Sequence, residues 1–221
     1  EFRRVLFRSL GIVSTSIFSG KAISKSGKYK RFPIAGTAIM SLGILAMATL
    51  KADTPYWQVA IFAVTVGVGL GLSMQTIVIA LQNSVDFKDM GIATSSNTFF
   101  RSLGSVFGTA FFGAVLTNRL NHYVEAGFTD LAAKNPEALA SFDTGKLAEL
   151  TSNTTGIENL PPQVQSTIID AFVNSFHVVF LVAAPVTLLG FFLALFLRET
   201  PLRTNEDYRA AREESAGEAL A

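Results

Sequence analysis

The feature that most constrains this chain is where its charges fall. No Asp, Glu, Lys or Arg occurs at residues 54–85, 32–50 or 171–197. A bilayer core about 30 Å thick takes roughly 20 apolar residues in a helix, and each run meets or nearly meets that length. A soluble protein rarely holds three such runs. The sequence therefore reads as an all-α, polytopic transmembrane helical bundle, multi-pass in the cell (inner or plasma) membrane. Composition agrees: 16% of the residues are charged and 49% are apolar, against about 25% charged in a typical soluble domain. Nineteen Phe and seventeen Gly suit lipid-facing and closely packed helices. The formal net charge of +1 points to no nucleic-acid partner. The chain has no Cys, and its two His are His122 and His177. Disulfides, Cys-ligated metals and a His-rich metal site are thereby excluded, and no cofactor is expected.

The order of segments follows from the same pattern. Residues 1–9 (Glu-Phe-Arg-Arg-Val-Leu-Phe-Arg-Ser) read as a foreign lead-in, similar to translated sequencing-adapter sequence. The apolar stretch 10–23 that follows is too short to span. Extending it backwards would bury Arg3, Arg4 and Arg8, at roughly 2.5–3.5 kcal/mol each. It is read as a truncated span, with the protein continuing upstream. Residues 20–31 carry Lys21, Lys25, Lys28, Lys30 and Arg31 and no acid, so this short loop is expected on the cytoplasmic side. Complete spans are expected at 32–50, 57–81, 91–116 and 171–197, and a kink at Pro185 in the last. Tyr56 and Trp57 serve as interfacial anchors. Residues 83–90 form an inner turn, and 117–170 a long, mostly acidic external loop whose irregular part ends at Pro161-Pro162, where the last helix is expected to start. Residues 198–221 form a charged cytoplasmic tail. The transmembrane bundle is thus residues 10–197, with the loop inside it.

Two segments carry a resemblance to a known family. Gly20, Lys25, Gly27 and Lys28 fall on the Gly, Arg, Gly and Arg positions of the loop Gly-x-Leu-x-Asp-Arg-x-Gly-Arg-Lys, the signature of the major facilitator superfamily. Ser24 stands where the family has its acid. Gly27 allows the positive φ of a tight turn between antiparallel helices. Lys30 and Arg31 complete the basic cluster. The second segment joins Gly67-Val-Gly-Leu-Gly-Leu-Ser-Met-Gln75 to the run from Gly91 to Gly108. It resembles the last helices of the fourteen-helix drug:proton antiporter branch, and the resemblance covers residues 10–197. It implies the C-terminal part of a two-bundle fold, with a midplane substrate cavity worked by alternating access. It also implies proton-coupled export of drugs or other small amphipathic compounds, with the N-terminal bundle of the same chain as partner. A major facilitator permease for another solute class, and a non-transporting membrane scaffold or sensor, stay open as alternatives.

The residues have readings of their own. Gly67 with Gly71, and Gly104 with Gly108, are small-xxx-small pairs that let helix backbones approach where lipid gives no hydrophobic drive. Arg101 is the only ionisable residue between Asp89 and Arg119. Asn97, Ser105 and Gly108 share its helix face at i−4, i+4 and i+7, opposite Phe99, Val106 and Ala110. An intramembrane Arg marks a functional site by default; the competing reading has Arg101 snorkelling to the inner surface. Gln75 and Gln82 could meet substrate or tie helices together, and His177 is read as a hydrogen-bonded interface residue. No pair of carboxylates suited to acid–base catalysis lies in a span, so no enzyme activity is expected. All 17 acids fall outside the spans. The proton-binding carboxylate that the resemblance implies is therefore expected upstream of this sequence.

Overall fold

A computed structural model of the chain describes residues 29–135, 160–197 and 201. Among them every regular element is helical: α1 (Arg31–Met47), α2 (Tyr56–Ser84), a 3-10 turn (Phe87–Asp89), α3 (Met90–Lys134) and α4 (Pro162–Leu195). The all-α bundle expected from the sequence is present, and α2, α3 and α4 are each long and apolar enough to cross a membrane. The lead-in at 1–9, the short apolar stretch at 10–23, Gly20, Lys25, Gly27 and Lys28 lie outside the described residues, as does all of the 198–221 tail except Pro201.

α1 is shorter than its charge-free run. It ends at Met47, because the chain closes into hydrogen-bonded turns before reaching Lys51. The Ala48 N–H donates to the Ile44 carbonyl at 3.0 Å, and the Thr49 N–H to that of Ala46 at 3.0 Å. The Thr49 hydroxyl reaches the same Ala46 carbonyl at 2.7 Å. The Lys51 N–H then donates to Thr54 Oγ1 at 2.8 Å, and Pro55 sits immediately before α2 as its N-cap. At 17 residues, α1 is about 25 Å long.

α1 packs along α2 through small residues. Pro33, Gly36, Thr37, Ser41 and Gly43 are buried on α1, and Gly69, Gly71, Ser73, Thr76 and Ala80 on α2. The approach is closest at Gly36 and Gly69: a Cβ added at Gly69 would lie 2.5 Å from the Gly36 carbonyl oxygen. Buried hydroxyls turn back onto their own helices. Thr37 donates to the Pro33 carbonyl at 2.7 Å, Ser41 to Thr37 at 2.8 Å, Ser73 to Gly69 at 2.9 Å and Thr76 to Leu72 at 2.7 Å. Among the described residues no buried side-chain polar atom lacks a partner, the condition that a lipid solvent imposes.

α3 departs most from the sequence expectation. A span was expected at 91–116 and a loop from 117; instead one helix of 45 residues runs through to Lys134. Thr117, Asn118 and Arg119 mark where hydrocarbon ends, not where the helix ends. At 1.5 Å per residue α3 is about 67 Å long, more than twice a 30 Å hydrocarbon core, so its C-terminal half stands clear of the bilayer. There Leu120, Val124 and Phe128 pack against Val164, Ile168 and Ala171 of α4. Outside hydrocarbon the hydrophobic effect operates again, at about 1.5–3 kcal/mol per fully buried large apolar side chain. A Cβ added at Gly127 would lie 2.7 Å from Thr167 Cγ2, and Asn135 Nδ2 donates to Gln163 Oε1 at 3.4 Å. α4 starts at Pro162, where the sequence predicts it, and continues past Pro185. Residues 117–134 and 162–170 of the expected loop are therefore a helical hairpin.

Candidate functional site

α2 presents two opposed faces. Its buried residues Gly69, Ser73, Thr76 and Ala80 look toward α1. Gln75 and Gln82, seven positions apart, lie about 130–150° round the helix from the centre of that face. Gln82 Nε2 donates to Thr94 Oγ1 of α3 at 3.4 Å, and the Thr94 hydroxyl in turn donates to the Met90 carbonyl at 2.8 Å. This contact fixes which face of α3 looks at α2. On α3 Thr94, Arg101, Ser105 and Gly108 lie within about 60° of one another, with Asn97 about 60° away from Thr94.

The same contact fixes depth. α2 and α3 run antiparallel through a short turn, so each residue back from Gln82 matches one forward from Thr94. Gln75 then lies level with Arg101. The two helices make little contact beyond the turn, and none of residues 81–119 is buried. The two helices thus diverge from the Gln82–Thr94 contact, and the gap between them, a cleft in the helix pair, is flanked by the faces that carry Gln75 and Arg101. Arg101 is exposed and makes no hydrogen bond or ion pair among the described residues. Val106 and Phe99, on the far side of α3, are 70% and 61% exposed.

The other sequence-selected residues fall in three places. Lys30 and Arg31 open α1 at the end of the bundle where Tyr29 is lodged against Ala80, flanked by Phe32, Ile79 and Leu197. At that end Asn83 Nδ2 also donates to the Pro201 carbonyl at 2.9 Å. Gly71 is buried and Gly67 half-buried on α2. A Cβ added at Gly104 or Gly108 meets nothing within 4 Å among the described residues. Sequence reasoning missed Gly36, Gly43 and Gly69 as the close-approach positions. The seven-residue spacing of Gly36 and Gly43, one helix face, was the available signal. It also missed Thr94 as the partner of Gln82.

Known proteins share this sequence at length. An uncharacterized MFS-type transporter of Mycobacterium tuberculosis is 36% identical over 204 residues, covering 92% of this chain. A tetracycline resistance determinant of Streptomyces rimosus is 30% identical over 222 positions, covering 94% of this chain. The chain is similar over most of its length to transporters of the major facilitator superfamily. A multidrug transporter protein of Bacillus subtilis is also similar, 27% identical over 225 positions and 96% of the chain. The chain spans 28%, 64% and 41% of the length of these three relatives. No family model matches it, and no solved structure does. With three helices among the described residues able to cross a membrane, the protein is a multi-pass integral membrane protein.

Proposed function

We propose that the complete protein is a secondary active transporter that exports drugs or other small amphipathic compounds by alternating access, with protons as the coupling ion. What supports this reading is the gap between α2 and α3. By helix geometry Arg101, Asn97 and Ser105 share the α3 side that Thr94 turns to Gln82, unburied and level with Gln75, in a chain whose relatives are named for tetracycline resistance and multidrug transport. Export needs a second bundle on the far side of that cleft. We assign it to the remainder of the protein, and this chain to the C-terminal bundle of the fourteen-helix branch. Gly104 and Gly108, open on α3, are its packing positions. In this reading Gly20, Lys25, Gly27, Lys28, Lys30 and Arg31 form the cytoplasmic signature loop, and the protein sits in the inner or plasma membrane. It acts as a carrier, not as an enzyme.

The coupling proton needs a group that changes charge within the membrane. Arg101 cannot serve, since guanidinium stays protonated. His177 is an exposed residue near the end of α4 that holds Asp170. We therefore place the proton-binding carboxylate in the part of the protein beyond this chain. Proteoliposomes holding the complete protein test both points. An imposed proton gradient should drive flux of a fluorescent amphipathic dye, and His177→Ala should retain that flux. Flux without any response to the gradient would sink the coupling. Loss of coupling in His177→Ala, with dye binding intact, would place the carrier in this chain.

A further inference from the structure

At the opposite end of the bundle from Lys30 and Arg31, a cleft of about 690 Å³ opens between the α1–α2 turn and α4. Its walls include Leu45 and Lys51 on one side and Asp170, Asn174, His177 and Leu181 on the other. α1 rises toward this end and α4 descends from it, so the apolar pair Leu45 and Leu181 lies deep and the charged pair Lys51 and Asp170 forms the rim. Lys51 is the first charge after the charge-free run 32–50, and Asp170 the last before the run 171–197. Both therefore mark the level where hydrocarbon gives way to headgroups. They carry opposite charges and line one cleft, yet form no ion pair with each other or with any described residue. Asn174 and His177 sit between rim and floor, and neither makes a side-chain hydrogen bond among the described residues.

We propose that this cleft holds the headgroup of a zwitterionic aminophospholipid of the surrounding leaflet. The lipid phosphate meets the Lys51 ammonium, a point charge suited to phosphate. The lipid ammonium meets the Asp170 carboxylate. The Asn174 amide and the His177 ring offer hydrogen bonds to the glycerol ester region, and an acyl chain follows Leu45 and Leu181 into the hydrocarbon. A primary ammonium has three N–H donors for Asp170, and a quaternary one has none. The cleft therefore favours an ethanolamine headgroup over a choline one. An anionic glycerol headgroup would leave Asp170 facing like charge. This site lies at the opposite end of the bundle from the vertex of the α2–α3 cleft, and it rests on membrane insertion and not on the transport reading.

Native mass spectrometry of the complete purified protein, given equal amounts of phosphatidylethanolamine, phosphatidylcholine and phosphatidylglycerol, tests the assignment. Phosphatidylethanolamine should be retained roughly three-fold over each of the others, the size of effect that a partly exposed ion pair supports. The preference should vanish in Asp170→Asn, and Lys51→Ala should weaken retention of all three lipids, whose shared phosphate it meets. Both side chains are exposed and unbonded, so neither change disturbs packing; unchanged thermal stability verifies that. A diazirine-tagged phosphatidylethanolamine acyl chain should crosslink to α4 around Leu181. Equal retention of the three lipids, a preference that survives Asp170→Asn, unweakened retention in Lys51→Ala, or crosslinks confined to other helices would overturn the proposal.

Discussion

Gly69→Val will force α1 and α2 apart and destabilise the protein more than any substitution on the lipid-facing surface. A Cβ at Gly69 would lie 2.5 Å from the Gly36 carbonyl oxygen, 2.6 Å from the Met40 nitrogen and 2.8 Å from Met40 Cβ. Two of those atoms are backbone and the third is a Cβ, so no rotamer change relieves the contact. Overpacking of this kind costs about 1–3 kcal/mol, and the absence of a flexible neighbour places this case at the upper end. In lipid there is little hydrophobic drive to hold the pair together once its backbones separate. The valine adds two more methyl groups to the same crowded space. Thermal unfolding of the detergent-solubilised protein, followed by size exclusion, should show a fall in midpoint of at least about 4 °C. Gly190→Val on α4 is the matched control, because a Cβ there meets nothing within 4 Å among the described residues. Equal stability of the two variants would show that the Gly36–Gly69 approach does not hold the pair.

Arg101→Ala should lower transport by about tenfold or more, the size of effect expected when a charged hydrogen-bonding group is lost. Arg101→Lys should retain an intermediate rate. The prediction rests on the cleft geometry: Arg101 stands level with Gln75, on the helix face that Thr94 turns toward Gln82. It has no partner among the described residues, so its donors are free for substrate or for the second bundle. A guanidinium can bridge several acceptors in a plane, which an ammonium reproduces only in part. Rates are compared at equal protein abundance in the membrane. An Arg101→Ala protein with wild-type efflux would mean that the side chain only reaches for the inner surface.

The membrane character of the chain was legible because charge is nearly absent from its spans, and hydrocarbon tolerates little charge. The start of α4 was legible for a different reason: Pro162 lacks an N–H, which costs nothing at the first turn of a helix. Two features were not legible. The change from apolar to polar sequence at Thr117 marks the hydrocarbon boundary, while helix continuation depends on hydrogen bonding and on the Leu120, Val124 and Phe128 stripe. That stripe is spaced for a helix, but it lies among Arg119, Glu125 and Asp130, and the net acidity of the segment masked it. The close-approach glycines were hidden by abundance. Gly67, Gly69 and Gly71 offer three registers in five residues, and only the position of α1 selects Gly69. Arg101 was visible at once as an isolated charge. Its level match with Gln75 needed the Gln82–Thr94 contact to set the register between helices.

The most direct test of the account is whether the polar stripe of α3 lines a water-accessible cleft. Ser105→Cys and Val106→Cys, each in the complete protein, place thiols about 100° apart round the helix, the second about 140° from Arg101. A membrane-impermeant maleimide should label Ser105→Cys in intact vesicles, from at least one side, and leave Val106→Cys unlabelled because it faces lipid. Equal labelling of both, or labelling of Val106→Cys alone, would contradict the placement of Arg101, Ser105 and Asn97 on the cleft.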